Sequence, residues 1–460
     1  MQTIYCRQAF IGGVLQKQVK LTIDQGMIAG VEIGADIPAD TTLYDTILPG
    51  IANVHSHAFQ RAMAGLAEYQ VPGRNSFWGW RQAMYSVAGA MTPMRLKVIA
   101  SQLYVEMIKA GYTAVGEFHY LHNSHKGEQV DMASAVIGAA QSVGLPITYL
   151  PVLYQTSDFG AEAALHTQAP FLHTTDDFLN HLSKTRALLS PVDQMGMAIH
   201  SLRAVPMDVV KEVTNQVKTG PIHIHIAEQM QEVESCREYS GQRPVDYLLS
   251  SVDVNDRWTC IHATHMTDAE ITALAKSGAV AGICPTTEAN LGDGFFKTPD
   301  YLVAGGAIAI GSDSHVSIDP REELRQLDYV ERLQSQTRCV LAGSDARYQG
   351  HVGNHLYHQA ATGGAQSMGQ NTGNIAVGKR ADLIALDHSA QGLIGVADNH
   401  ILDAFIFKGQ PNPVRHVMIA GEWVVKDYKH AHEDEITSAY SQVMADLQVL
   451  MQAKDQAKDI

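Results

Sequence analysis

Two histidines two residues apart close the apolar run Leu48-Pro-Gly-Ile-Ala-Asn-Val-His55-Ser-His57. Residues i and i+2 of a strand share a face, so both imidazoles can turn toward one ion. Taken alone, such a pair is as often a surface feature. His223 and His225 end the run Pro221–Glu228 in the same manner, and only one of them need be a ligand. Asp313 follows the apolar stretch Ile308-Ala-Ile-Gly-Ser. A carboxylate there is costly to bury unless it is paired or holds a metal; its simplest other role is a helix N-cap after a strand–helix loop. Three imidazole nitrogens and one carboxylate oxygen suit zinc, with iron and manganese as rivals.

These residues need elements that bring them together. Eight apolar, strand-like runs alternate with helical stretches: Leu48–His55, Thr113–Tyr120, Ile147–Tyr154, Met195–Leu202, Pro221–Glu228, Trp258–His265, Ala279–Cys284 and Ala307–Asp313. That alternation predicts a parallel α/β fold, either a (β/α)8 TIM-type barrel or a doubly wound open sheet. The polar residues discriminate. His55 and His57, Tyr120, His200, His225, His262 and Asp313 all sit at run ends. A barrel gathers those ends on one face, whereas an open sheet spreads them along an edge, so the barrel is favoured.

Short strands open the chain at Thr3–Phe10, Leu15–Ile23 and Met27–Ile33, and similar ones return at Asp382–Asp387 and Val414–Val425 around Gly421. Neither end can hold a core alone. Residues 1–48 and 370–430 are therefore expected to pair as one small β-sandwich domain beside a barrel at 49–369; two unrelated edge hairpins are the alternative. The segment 431–460 is expected to be helical, with Ile436, Tyr440, Val443, Met444, Leu447, Leu450 and Met451 on one stripe.

Composition excludes several classes. The 460 residues carry 33 Lys and Arg against 48 Asp and Glu, a net charge of −15. Nucleic acid and anionic membrane are bound through clustered positive charge, so neither is expected as a partner. Cys6, Cys236, Cys260, Cys284 and Cys339 form no C-x-x-C pair and read as reduced thiols of a cytoplasmic protein. No apolar run approaches the roughly 20 residues of a membrane span. Met1–Phe10 likewise lacks the apolar stretch of a signal peptide.

The H-x-H after the first run, the H-x-x-E of His225 and Glu228, His262 at the sixth run and Ser312-Asp313 at the eighth resemble the amidohydrolase superfamily. Gly373-Asn-Ile-Ala-Val-Gly-Lys-Arg-Ala-Asp382-Leu-Ile-Ala-Leu-Asp is similar to that superfamily's return into its β domain. Within it, His55-Ser-His-Ala-Phe-Gln-Arg-Ala-Met-Ala-Gly-Leu-Ala-Glu68 and Phe77-Trp-Gly-Trp-Arg81 resemble the formimidoylglutamate deiminase family of histidine degradation. Superfamily members with two metals bridge them by a modified lysine, usually at the fourth strand. Here that run, Met195-Gly-Met-Ala-Ile-His200, has no lysine. The resemblance then implies one divalent ion per chain, most simply Zn2+ with Fe2+ or Mn2+ possible, held by His55, His57, His225 and Asp313. It also implies a homodimer.

The implied chemistry is hydrolysis of a C=N bond in N-formimino-L-glutamate by an activated water. His262 can accept the water's proton. Glu228 can pair with the cationic formimino nitrogen and pass a proton to departing ammonia. The substrate is a small dicarboxylate and needs donors inside an acidic protein. Arg81 and Arg203 suit that role by bidentate pairing, and Gln60, Tyr120 and His200 can add further donors. Arg81 is expected in the long loop after the first run, where Trp78 and Trp80 read as loop packing. A mononuclear deaminase of a purine or other heterocycle is the alternative enzyme, although a flat base would want aromatic walls. A barrel that lost its metal and serves in binding is a third reading, against which every ligand and both proton carriers are present.

Overall fold

The computed structural model describes residues 1–66, 68 and 77–456, those at 77–79, 82 and 452–456 through their backbone only. The side chain of Trp78 and the end of the tail at Lys458 thus lie outside the described residues. The chain opens with an antiparallel meander of β1 (Gln2–Ile11), β2 (Val14–Asp24) and β3 (Met27–Ile33). Alternation decides its faces: Ile4 and Cys6 are buried and Arg7 is exposed. Next, β4 (Leu43–Pro49) lies parallel to β1, and at Gly50 the chain leaves this sheet.

The barrel follows as β5 (Ile51–Ser56), β6 (Tyr112–His119), β7 (Ile147–Leu153), β8 (Gln194–Met195), β9 (Met197–Ile199), β10 (Ile222–Ile226), β11 (Trp258–His262), β12 (Val280–Ile283) and β13 (Ala307–Ile310). All neighbours are parallel and follow chain order, with the short β8 pairing beside β7. Such strands are covered on both faces, which is why they read as nearly unbroken apolar runs. The predicted fourth run is interrupted at Gly196. A Cβ there would sit 2.6 Å from both Leu150 Cδ2 and the Pro221 carbonyl oxygen, so the strands close up only around a glycine.

The chain returns to the first sheet through β14 (Leu383–Leu386), β15 (Val414–Ile419), β16 (Glu422–Lys426) and β17 (Lys429–His430). β14 pairs antiparallel with β4, Leu383 opposite Pro49, so the two chain ends share one eight-stranded sheet. Its interior draws on both: Ile4, Val19 and Leu21 meet Leu383 and Met418. The tail helix, Glu433–Gln456, buries Val443 and Leu447 against the barrel side, while Leu450 of the expected stripe is exposed. No helix among the described residues is long and apolar enough to cross a membrane.

Arg81 and Trp80 were expected in a long loop after the first barrel strand. They stand instead on a helix, Phe77–Ala88, and Trp80 packs half-buried against the main core. Helix-period spacing in Trp80, Met84, Val87 and Ala88 explains the difference: those side chains share the core-facing stripe.

The barrel closes where β13 meets β5. Asp313 N–H donates to the His55 carbonyl at 2.9 Å, and His57 N–H to the Asp313 carbonyl at 3.4 Å. Gly311 permits that approach, since a Cβ would lie 2.7 Å from His55 Cβ and 2.9 Å from its backbone nitrogen. Gly311→Ala should therefore cost about 1–3 kcal/mol by overpacking and displace His55. A melting-temperature drop with reduced metal content is the expected result; a variant with unchanged melting temperature and metal content would contradict this view of the seam.

Candidate active site

His55 and His57 leave the end of β5 on one face, His225 reaches in from β10, and Asp313 follows β13. All four are buried. His55 Nε2 lies 3.0 Å from His225 Nε2 and 3.4 Å from Asp313 Oδ1, which is 3.2 Å from His57 Nε2. His57 Nδ1 donates to the Phe118 carbonyl at 2.9 Å, and His225 Nδ1 to the His200 carbonyl at 3.0 Å. These bonds fix the tautomers and leave the Nε2 lone pairs facing inward.

Burial and the neighbouring His57 push His55 down to about 3, and burial with the surrounding imidazoles holds His225 well below its ordinary value. Both rings are therefore uncharged at neutral pH. Burial opposes charge on Asp313, yet His55 and His57 hold its carboxyl well below the usual range. Inward lone pairs and an anionic oxygen at one point repel unless a cation sits among them. The set fits a borderline divalent ion. His223, the other histidine of its pair, lies deeper and bonds the Ser367 carbonyl at 2.9 Å. It does not join the cluster.

His262 ends β11 beside this set. Its Nε2 is 3.7 Å from Asp313 Oδ2 and 3.8 Å from Glu228 Oε1, and its Nδ1 is 3.2 Å from Glu288 Oε1. Burial works against a charged imidazole here, but Glu228, Glu288 and Asp313 outweigh it and push His262 up to about 10. Burial also pushes the buried Glu228 carboxyl up, with Asp313 and Glu232 adding to the rise and His262 and Arg203 opposing it. Both His262 (φ 66°) and Asp313 (φ 43°) occupy the left-handed region that non-glycine residues avoid. Such strain is held at sites where the surrounding structure over-determines a side chain's aim.

The five residues expected to hold substrate also gather here. Gln60 Nε2 donates to Tyr120 OH at 2.6 Å, while Gln60 Oε1 is buried without a partner. Arg81 Nη2 donates to Tyr154 OH at 3.0 Å, and its guanidinium lies 5.4 Å above the Tyr85 ring. The His200 ring is 4.5 Å from Tyr154 and 5.8 Å from Tyr120. Burial holds His200 well below its ordinary value, and the charges of Arg203 and then Arg81 add to this. The charges of both guanidiniums thus act on His200, in a chain that is otherwise strongly acidic.

The sequence pattern of the amidohydrolase family matches residues 46–424. The chain belongs to the amidohydrolase family. Among its relatives in that family, a formimidoylglutamate deiminase from Pseudomonas aeruginosa is 42% identical over 97% of this chain and 100% of its own length. A 5-methylthioadenosine/S-adenosylhomocysteine deaminase from Natronomonas pharaonis is 26% identical over 83% of this chain and 81% of its own. The crystal structure of an amidohydrolase from Brucella melitensis superposes with a TM-score of 0.92 at 40% identity, covering 97% of this chain and 100% of that one. An adenosine deaminase from Xanthomonas campestris, solved with zinc, shares the fold at a TM-score of 0.81 and 21% identity, over 97% and 98% of the two chains.

Three residues at this amidohydrolase site were not singled out from sequence. Glu117 of β6 accepts from Ser56 Oγ (2.7 Å), Ala58 N–H (2.8 Å) and Tyr104 OH (3.1 Å), and so grips the segment between and after His55 and His57. A lone carboxylate inside the apolar run Thr113–Tyr120 was its available signal. Glu288, on the helix Pro285–Leu291, accepts Cys284 N–H at 2.9 Å with the oxygen that faces His262 Nδ1. Tyr154, at the end of the third run, joins Arg81 to Gln168, whose Nε2 donates to it at 2.6 Å. Removing Glu117 should free Ser56 and Ala58 and loosen both adjacent histidines. Glu117→Ala is expected to weaken metal retention about 10–100-fold, the scale for partners that orient metal ligands, as measured by metal content after graded chelator dialysis. Unchanged retention would mean that Glu117 does not position His55 and His57.

Proposed function

We propose that this protein hydrolyses N-formimino-L-glutamate to N-formyl-L-glutamate and ammonia, the deimination step of histidine degradation. The observation that carries this reading is the full-length likeness to the Pseudomonas formimidoylglutamate deiminase. Two guanidinium charges that act on His200, close to a metal-type ligand set, support it, since the substrate is cationic at one end and dianionic at the other. The 5-methylthioadenosine/S-adenosylhomocysteine deaminases are more distant relatives and support the general chemistry rather than a heterocyclic substrate.

His55, His57, His225 and Asp313 would hold one divalent ion, most simply zinc. Bound there, such an ion polarises water enough to make it nucleophilic near neutral pH. The chain's own groups handle the protons. His262 Nε2 takes the proton of the water whose oxygen bonds to the formimino carbon, while Glu288 keeps the opposite nitrogen protonated and the ring aimed. Glu228 pairs as a carboxylate with the amidinium nitrogen, takes over the proton that His262 received, 3.8 Å away, and delivers it to that nitrogen. The C–N bond then breaks and ammonia leaves, as the new hydroxyl gives its proton to His262 and becomes the formyl oxygen. Arg81 and Arg203 pair with the carboxylates, and Gln60, Tyr120 and His200 supply neutral donors between them. The family likeness supports a homodimer, and the free cysteines, four buried and Cys339 exposed, accord with a reducing cytoplasm.

Steady-state ammonia release tests the substrate. Formiminoglutamate should be turned over and guanine, adenosine and cytosine should not. A hydrogen bond to a charged group contributes about 1.5–3 kcal/mol, so Arg81→Met and Arg203→Met should each lose roughly 10- to 150-fold in kcat/KM. Efficient turnover of a nucleobase, or indifference of both variants, would replace this reading with a heterocycle deaminase.

Glu228→Gln and His262→Asn should each lower kcat by at least about 10²-fold with metal content unchanged. Near-wild-type turnover in either removes its assigned role.

The base must be unprotonated to act, so activity should rise with pH through the His262 titration. Glu288→Gln deletes one of the carboxylates that raise His262. The rising limb of kcat/KM should therefore move to lower pH, with a smaller maximum because the ring is less firmly aimed. A limb that stays in place or moves upward would exclude His262 as the titrating base.

A further inference from the structure

A second gathering of imidazoles lies on the other side of the barrel wall. Along the end of β6, Phe118 and Tyr120 face the reaction centre, their rings 5.4 and 4.8 Å from His57. Alternation turns His119 the opposite way, toward Tyr149 of β7 at 5.5 Å. There it meets His122 from the following turn, His173 from the segment before the helix Thr175–Thr185, and His181 from that helix. The His122 and His173 rings stack at 4.0 Å and 21°, and His181 lies 5.1 Å from one and 5.3 Å from the other.

Their hydrogen bonding resembles that of the first set. His122 Nε2 donates to the Val152 carbonyl at 2.9 Å, which leaves Nδ1 as a lone pair. That Nδ1 is buried without a partner, on a residue only 4% exposed; His173 Nδ1 is likewise buried and unpartnered, and so is Nε2 of His119. Tyr149 OH, 3.0 Å from His181 Nε2, orients the third ring. One ring nitrogen from each of His122, His173 and His181 lies within 4.8 Å of the others. Zinc–nitrogen bonds of about 2.0–2.1 Å place tetrahedral ligands about 3.4 Å apart, so closing round an ion needs only side-chain shifts. A stack of neutral rings with unused lone pairs has no evident packing advantage over phenylalanine.

We propose that His122, His173 and His181 form a second metal site, for a borderline divalent ion such as zinc, distinct from the reaction centre and outside the barrel wall. Burial keeps the rings neutral and available, with His173 and His181 down to about 4 and His122 lower than ordinary. The fourth position is open to water or to His119. An ion here ties the end of β6 to the segment that carries Gln168 and Phe171. That segment is already pinned by His122 N–H to the Pro170 carbonyl (2.9 Å) and His173 N–H to the Tyr154 carbonyl (3.1 Å). Gln168 and Phe171 in turn contact Tyr154 and Tyr120 of the substrate pocket. The role is structural bracing, not catalysis.

The test uses untagged full-length protein, stripped with chelator, reloaded with Zn2+, gel-filtered and counted by elemental analysis. Wild type should retain two zinc per chain. His122→Asn and His181→Gln should each retain one and keep ammonia release, because neither residue belongs to the reaction centre. The double variant His57→Ala/His225→Ala should retain one and gain melting temperature when zinc is added, since only the folded chain offers the site. Co2+ added to that double variant should give visible d–d absorption that His181→Gln abolishes. Wild type holding a single zinc that the double variant loses would overturn the proposal, as would two zinc in His122→Asn and His181→Gln. These counts do not depend on which substrate is hydrolysed.

Discussion

Asp313 meets His55 and His57 at the seam where the last barrel strand returns to the first, and this contact sets conditions on most of the molecule. The backbone bonds between Asp313 and His55 close the barrel, while their side chains contribute to the same ligand set. Closing the sheet and assembling the site are therefore one event. The approach demands Gly311 on one strand, a left-handed Asp313 just beyond it, and Asn53 holding Ser312 by paired bonds of 2.6 and 3.1 Å. The sheet built from both chain ends serves the same end. Its strand β4 runs straight into β5 through Gly50, so pairing β4 with β14 fixes where the first barrel strand begins.

Part of this was legible because strand ends have a rule. A polar residue closing an apolar run in a parallel barrel must appear at the mouth, so His55, His57, His225, His262 and Asp313 could be assigned to one place before any coordinates. Depth was not legible: His223 and His225 share a face by alternation, and only three-dimensional closure puts His223 against Ser367. Arg81 was placed near the mouth but on a loop, because the segment before it gives no helix signal strong enough to mark a start. Glu117, marked only as a lone carboxylate in an apolar run, and Glu288, not marked at all, were missed for another reason. Their partners, Ser56 and His262, belong to other elements, and periodicity reports which face a residue takes rather than what waits opposite. The set of His122, His173 and His181 is the extreme case, drawn from a turn, a loop and a helix with no common spacing. One ion per chain was what the resemblance and the missing bridging lysine implied, and that inference concerned the barrel mouth alone.

An acidic chain that admits a dianion, as the proposed substrate requires, faces a long-range penalty as well as a local demand. Screening over roughly 8–10 Å at physiological salt removes most of the penalty from distant surface carboxylates. What remains is set by buried groups near the mouth, where Arg203 offsets Glu228 and Glu232 and Arg81 bonds Tyr154. Arg81 keeps its charge, and its guanidinium donates to the Tyr154 hydroxyl at 3.0 Å. A guanidinium held this way can exchange a phenol oxygen for a substrate carboxylate with little reorganisation.

His262 shows why the ligand set and the proton chemistry have to be considered together. Three carboxylates around one buried imidazole push it up to about 10, too high for a base working near neutral pH. In the proposed mechanism two of those carboxylates, Glu228 and Glu288, serve the proton path and aim the ring. The third is Asp313, whose oxygens face both His262 and the other ligands. A cation that neutralises Asp313 removes one of the pulls on His262 and adds a repulsion of its own, so both changes lower the imidazole toward the neutral range. The positive charge that the inward lone pairs and a carboxylate would attract is thus the same charge that would make the neighbouring histidine usable as the proposed base.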